Sequence, residues 1–129
     1  MNRKKLPGER SGWTHRFALG EGDERIRLYL TVGLYPDGRL GEIFLVADKQ
    51  GSLLSALLDA VATLFSISLQ YGVPLSTLVG KLRNTRFEPM IVTDGLPEIP
   101  TALSILDYLG RYLDLRFPDG IAVERKEKV

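Results

Sequence analysis

Apolar positions alternate along the first third of the chain and recur every three to four residues through most of the rest. That change of period separates a sheet-forming half from a helical half. From Trp13 to Leu19, Trp13, His15 and Phe17 alternate with Thr14, Arg16 and Ala18, as in a strand with two differently dressed faces. From Arg25 to Val32 the alternation is cleaner: Ile26, Leu28, Leu30 and Val32 form a core side against Arg25, Arg27, Tyr29 and Thr31. Gly20, Glu21, Gly22 and Asp23 supply a glycine-rich hairpin between the two. Pro36-Asp37-Gly38 is a second turn, because proline presets one central dihedral and Asp-Gly tolerates the positive φ that follows. Leu40 to Ala47 completes an antiparallel meander.

The period then lengthens. Leu54, Leu57, Leu58, Val61, Leu64, Phe65 and Leu69 predict a long helix from Leu53 to Tyr71, with Ser52 as N-cap and Gly72 as its stop. A stripe of small or polar residues, Ser55, Asp59, Ala62, Thr63 and Ser66, runs along the same helix. Asp59 and the hydroxyls argue against a membrane span, and the small stripe suits close packing on the sheet or on a second chain. A homodimer, or a higher homo-oligomer, is the expected assembly. A second helix is predicted from Pro74 to about Arg83, with Leu75, Leu78, Val79 and Leu82 inward. Between Thr85 and Pro100 the prolines and Gly95 predict an irregular loop, the kind of segment on which binding residues sit. Pro100 or Thr101 opens a third helix carrying Leu103, Leu106, Leu109, Tyr112 and Leu113, with Gly110 as an interruption.

The expected class is α+β: an N-terminal antiparallel β-meander packed against a long central helix and two further C-terminal helices. Residues 1–10 are expected to be a flexible basic end, 11–117 a single domain, and 118–129 a charged tail. The 129 residues hold 44% hydrophobic and 26% charged side chains, enough for one core. A formal net charge of +1 argues against a general nucleic-acid binder. With no cysteine and only His15, thiol chemistry, cysteine-based metal sites and a histidine-centred triad lack parts. Cofactors and metals are therefore not expected, and neither are catalytic residues. The basic start is followed by no signal-like apolar stretch, which makes the cytoplasm the expected location.

Candidate chemistry lies in arginines beside aromatics. A guanidinium matches phosphate oxygens and an aromatic face stacks on a base, so Arg86-Phe87, Arg111 near Tyr108, and Arg27 suit a small nucleotide. The plain alternative for each arginine is an ion pair, such as Arg111 with Asp107 at helical spacing. Asp37 with Glu42, or Asp107 with Glu88, can pair as carboxylates, but no spacing sets either pair across a substrate. No Walker or Rossmann glycine pattern is present, since Gly20-Glu21-Gly22 lacks both the third glycine and a following helix.

Five segments carry a resemblance. Tyr35-Pro36-Asp37-Gly38-Arg39-Leu40-Gly41-Glu42-Ile43-Phe44, Lys49-Gln50-Gly51-Ser52, Leu69-Gln70-Tyr71-Gly72-Val73-Pro74-Leu75, Thr85-Arg86-Phe87-Glu88-Pro89, and Ser104-Ile105-Leu106-Asp107-Tyr108 with Arg111 resemble the TSCPD domain. That domain occurs in the C-terminal region of adenosylcobalamin-dependent ribonucleotide reductases and in small stand-alone proteins, many of them from phages. The resemblance runs from about Leu6 to Leu113. Two departures stand out: the reductases' cysteine-bearing tail has no counterpart, and Ile91 stands where the family commonly has glycine. A complete reductase is therefore not expected.

Two functions follow from the resemblance. The first is a non-catalytic nucleotide-binding protein, a phage-type sponge for cyclic nucleotide or cyclic ADP-ribose immune signals. In it Arg86 and Arg111 bind phosphates, Phe87 or Phe17 stacks on a base, Thr93 or Asp94 holds ribose hydroxyls, and Arg27 and Tyr108 complete the site. The alternative is an accessory or split-off module of an adenosylcobalamin-dependent ribonucleotide reductase, docking on a separate catalytic subunit.

Overall fold

The computed structural model describes residues 2–48 and 51–123. Its elements are β1 (Gly12–Leu19), β2 (Ile26–Leu34), β3 (Leu40–Ala47), α1 (Ser52–Gln70), α2 (Leu75–Leu82), β4 (Val92–Asp94) and α3 (Ile105–Arg116). The strands form one antiparallel sheet in the order β3-β2-β1-β4. The α+β class and the meander are as expected. The fourth strand is an addition: Val92–Asp94 lies in the segment expected to be wholly irregular and pairs with Ala18 and Leu19 at the end of β1. Three residues are too few for a visible alternation, so only the free edge of β1 makes this segment a strand.

Register puts the inward side chains in rows. Phe17 pairs with Leu28 and Leu28 with Ala47, while His15 pairs with Leu30 and Leu30 with Leu45. On this face α3 lies against β1 through three aromatic rungs. Trp13 stacks on Phe117 at 5.3 Å between ring centroids, His15 on Tyr112 at 4.3 Å, and Phe17 on Tyr108 at 4.2 Å. Two strand residues advance about 6.8 Å and four helical residues about 6 Å, so Phe17 and His15 stay in step with Tyr108 and Tyr112 on successive turns of α3, and Trp13 meets Phe117 just past the helix end. Leu109 and Leu113 of α3 and Val79 and Leu82 of α2 close the same core.

Helix α1 occupies the edge of the sheet. It packs along β3, where the Ser66 hydroxyl accepts the Ile43 N–H at 2.9 Å and the Gln70 amide donates to the Gly41 carbonyl at 3.0 Å. An edge strand needs such cover for its unpaired backbone groups. This decides between the two expected neighbours of the small stripe in favour of the sheet. Ala62 and Ser66, from the small stripe, face the helix's own sheet, because only small side chains let a helix approach a strand backbone closely. Leu57 and Leu64, on the other side of the helix, are exposed. The N-cap is Gly51, not Ser52, and α3 starts at Ile105 behind an Ser104 cap, four or five residues later than expected. Gly110 does not interrupt α3; a Cβ there would stand 2.9 Å from Arg83, so the glycine serves the α2–α3 approach.

Both ends of the described chain are tied down. The Lys4 N–H donates to the Gln70 carbonyl at 2.8 Å, Tyr35 donates to the Lys4 carbonyl at 2.5 Å, and Arg10 pairs with Glu42. Through these bonds residues 2–10 run against the domain as a strap. Of the expected tail, Pro118–Gly120 form a short 3₁₀ turn, Ile121 bridges to Arg39, and the Ala122 N–H bonds the Gly38 carbonyl at 3.0 Å. The remainder, 124–129, lies outside the described residues.

Candidate functional site

The segment from Arg83 to Ser104 has little regular structure, so its course depends on side chains that hold its backbone. Asp107, in the first turn of α3, is the main one. Its carboxylate is fully buried and accepts the backbone N–H groups of Asn84 at 2.6 Å and Leu103 at 2.9 Å, and Arg111 Nε at 2.9 Å. Asn84 has a φ of 67°, a left-handed conformation that lets the chain turn back towards the carboxylate as it leaves α2. Ser104 caps the helix by accepting the Asp107 N–H at 3.0 Å and donates its own proton to the Thr85 carbonyl at 2.6 Å. The Phe87 N–H then bonds the Leu103 carbonyl at 3.0 Å, just before the cis Glu88–Pro89 bond. Two of the five shared segments, Thr85–Pro89 and Ser104–Tyr108 with Arg111, thus form a single joint.

Electrostatics at the joint follow from this geometry. Burial alone would raise the Asp107 pKa, but the two backbone N–H groups and the Arg111 guanidinium more than reverse it and hold it below the ordinary carboxylate value. Tyr108 moves the other way. Burial raises its phenol pKa against the opposing Leu96 N–H, which donates to its oxygen at 3.0 Å; His15 Nε2 lies 3.0 Å from the same oxygen.

Beside the joint is an open cleft of about 380 Å³ lined by Arg83, Glu98, Ile99, Pro100, Thr101, Arg111, Asp114 and Leu115. Its charges are already matched in part. Arg111 pairs with Asp107, and Arg83 lies 3.3 Å from Asp114. Three of the carboxylates that could pair with one another hold arginines instead: Asp37 holds Arg39, Glu42 holds Arg10 and Asp107 holds Arg111.

The eight residues expected to bind ligand do not converge. Arg111 alone lines this cleft, and by the ion pair that was its plain alternative. Arg86 is exposed at the start of the loop and Phe87 is half-buried against the core. Phe17 and Tyr108 meet each other, but both are completely buried, so neither presents a face to a base. Arg27 lies on the far face of the sheet, its backbone N–H bonded to Asp48 at 3.0 Å. Thr93 and Asp94 are in β4, where Asp94 lies 3.3 Å from Arg16. Arg83, Glu98 and Asp114 of the cleft were missed by sequence reasoning; the spacing of Arg111 and Asp114 on one helix side was the available signal.

The other shared segment with a clear structural task is Tyr35–Phe44. Lys4 lies over the Tyr35 ring at 5.3 Å from its centroid and Arg39 at 4.9 Å. Gly41 makes room for the strap, since a Cβ there would stand 2.9 Å from Leu6 and from Tyr35.

Fold and site together define an α+β module in which three of the five resembling segments hold its own loops and strap in place, while Lys49 and Gln50 of another lie outside the described residues. The chain belongs to the TSCPD domain family, whose profile matches residues 2–117. Among its relatives is a vitamin B12-dependent ribonucleotide reductase of Rhodopirellula baltica, 45% identical over 118 residues, which are 92% of this chain and 11% of the relative. The enzyme of the same description from Streptantibioticus cattleyicolor is 47% identical over 89% of this chain and 18% of its own length. That of Bradyrhizobium diazoefficiens is 41% identical over 89% of this chain and 9% of its own. The chain thus spans a small part of each relative. No solved structure matches it.

The cobalamin that these relatives' description implies does not fit the four open clefts found among the described residues. They hold only 350–430 Å³, far too small for a corrin with its nucleotide loop. The chain's one imidazole, on His15, is stacked between rings.

Proposed function

We propose that this chain acts as the TSCPD module of a vitamin B12-dependent ribonucleotide reductase, docking on a catalytic body and supporting its turnover without carrying the chemistry itself. The observation behind this reading is the 45% identity to such a reductase over 92% of the chain. Each relative cited bears the same reductase description, which favours the accessory reading over free-standing nucleotide capture. The docking side in this reading is the joint and its cleft, where Arg86 is exposed beside a backbone fixed by Asp107 and Ser104. A rigid joint presents a partner with a pre-ordered surface and so lowers the entropic cost of association.

The test is reconstitution. A reductase of this class is truncated to remove its own TSCPD segment and mixed with the intact chain, and both co-sedimentation and deoxyribonucleotide formation are measured. The expected result is a complex and a gain in turnover, with Arg86→Glu weakening both. No complex and no change in turnover would refute the reading. Heat release of an intact small nucleotide from the purified chain would instead restore the capture function.

A further inference from the structure

We infer that the solvent face of α1 is the surface through which two copies of this chain associate, antiparallel, about a twofold axis crossing the middle of the helix. Helix α1 has two apolar sides. Leu58, Ala62 and Phe65 are buried on one. On the opposite side Leu53, Leu57, Ala60 and Leu64 follow one another at four- and three-residue steps, continued by Ile67 and Tyr71. Leu53 is 73% exposed, Leu57 56% and Leu64 65%, and no charged residue falls on this line. Asp59, the helix's one charge, is a quarter-turn to the side at about 100° per residue. A helix face left to water is normally polar, and one apolar on both sides is normally covered on both.

An antiparallel second copy fits this line in register. Positions 53, 57, 60, 64, 67 and 71 have the same spacing in either direction. An antiparallel copy therefore sets Leu53 opposite Tyr71, Leu57 opposite Ile67, and Ala60 opposite Leu64. Each contact then occurs twice, as a twofold interface requires, and the smallest side chain receives a large one at the centre. The line offers roughly 500 Å² of each chain, so on the order of 1,000 Å² for the pair, where specific interfaces begin. α1 is also long and apolar enough to cross a membrane. However, the bonds of Ser66 and Gln70 to β3 hold it along the sheet edge.

This inference does not depend on the reductase reading, because it concerns the isolated chain. Sedimentation equilibrium at micromolar concentration should show a dimer, and Leu57→Glu with Leu64→Glu should give a monomer with an unchanged circular dichroism spectrum. The chain has no cysteine, so Ala60→Cys introduces a single thiol that a short bis-maleimide should join into a covalent dimer. Thr93→Cys, on the opposite edge of the sheet, should not cross-link. If the glutamate variant does not fold, the two cysteine variants decide the matter. The inference fails if the wild-type chain is monomeric throughout, if Thr93→Cys cross-links as well as Ala60→Cys, or if a monomer floats with phosphatidylcholine vesicles.

Discussion

Replacing Asp107 by asparagine keeps the shape of the side chain and removes its charge and one acceptor. In the folded protein Oδ1 accepts the Asn84 N–H, and Oδ2 accepts both the Leu103 N–H and Arg111 Nε. The amide oxygen can take one of these positions only. Turned one way, the new NH₂ group faces the Asn84 N–H; turned the other, it faces Leu103 and Arg111. At least one N–H therefore loses its partner, and the surviving bonds lose their ionic part, for a cost of about 2–4 kcal/mol. Asp107→Ala leaves two backbone donors without partners while Arg111 can turn to water, for about 3–5 kcal/mol. Urea denaturation at constant slope measures both. The pH dependence gives an independent check. Because the folded pKa of Asp107 lies below the ordinary value, the unfolded chain takes up its proton first as pH falls. The stabilisation is complete above the unfolded carboxylate value of about 4 and is lost as pH falls through the folded one. Asp107→Asn should flatten that acid-side decline. A remnant is expected from Asp37, whose pKa is lowered by bonds from the Arg39 backbone and side chain. An asparagine variant within about 0.5 kcal/mol of wild type, with an unchanged acid slope, would refute the role assigned to this carboxylate.

Gly41→Ala should displace Leu6 or the Tyr35 ring, cost about 1–3 kcal/mol as other overpacking changes do, and speed proteolysis within residues 3–10. Equal cleavage rates in the two proteins would contradict the strap's attachment. Ser66→Ala removes the acceptor for the Ile43 N–H and should cost about 1–2 kcal/mol, with faster amide exchange at Ile43 than at its paired neighbour Val32. Unchanged exchange at Ile43 would argue that α1 does not cover the sheet edge.

Legibility along the sequence followed the range of the interactions involved. The meander strands were visible because each inward residue of β1 and β2 repeats at period two, and α2 because its apolar residues repeat at the helical period. β4 was not, because it is defined by the free edge of β1, a neighbour more than seventy residues away in sequence. The start of α3 was misplaced because Pro100 and Ser104 are both acceptable openings locally. Only the reach of Ser104 to Thr85 and of Asp107 to Asn84 and Leu103 selects the later one. The site was less legible than the fold. Arginines and aromatics were grouped by residue type, and residue type does not say whether Phe17 faces water or Tyr108.

By itself the sequence determined the α+β class, the glycine turns, the long helix and the family, because these rest on local periodicity, backbone preference and ordered motifs. The tertiary structure decided which side of α1 is buried, which carboxylate holds which arginine, and where the motifs meet. Those outcomes depend on which elements become neighbours. The small residues of α1 are a case in point: a stripe of Ala62 and Ser66 permits close approach, but only the open edge of β3 determines what approaches it.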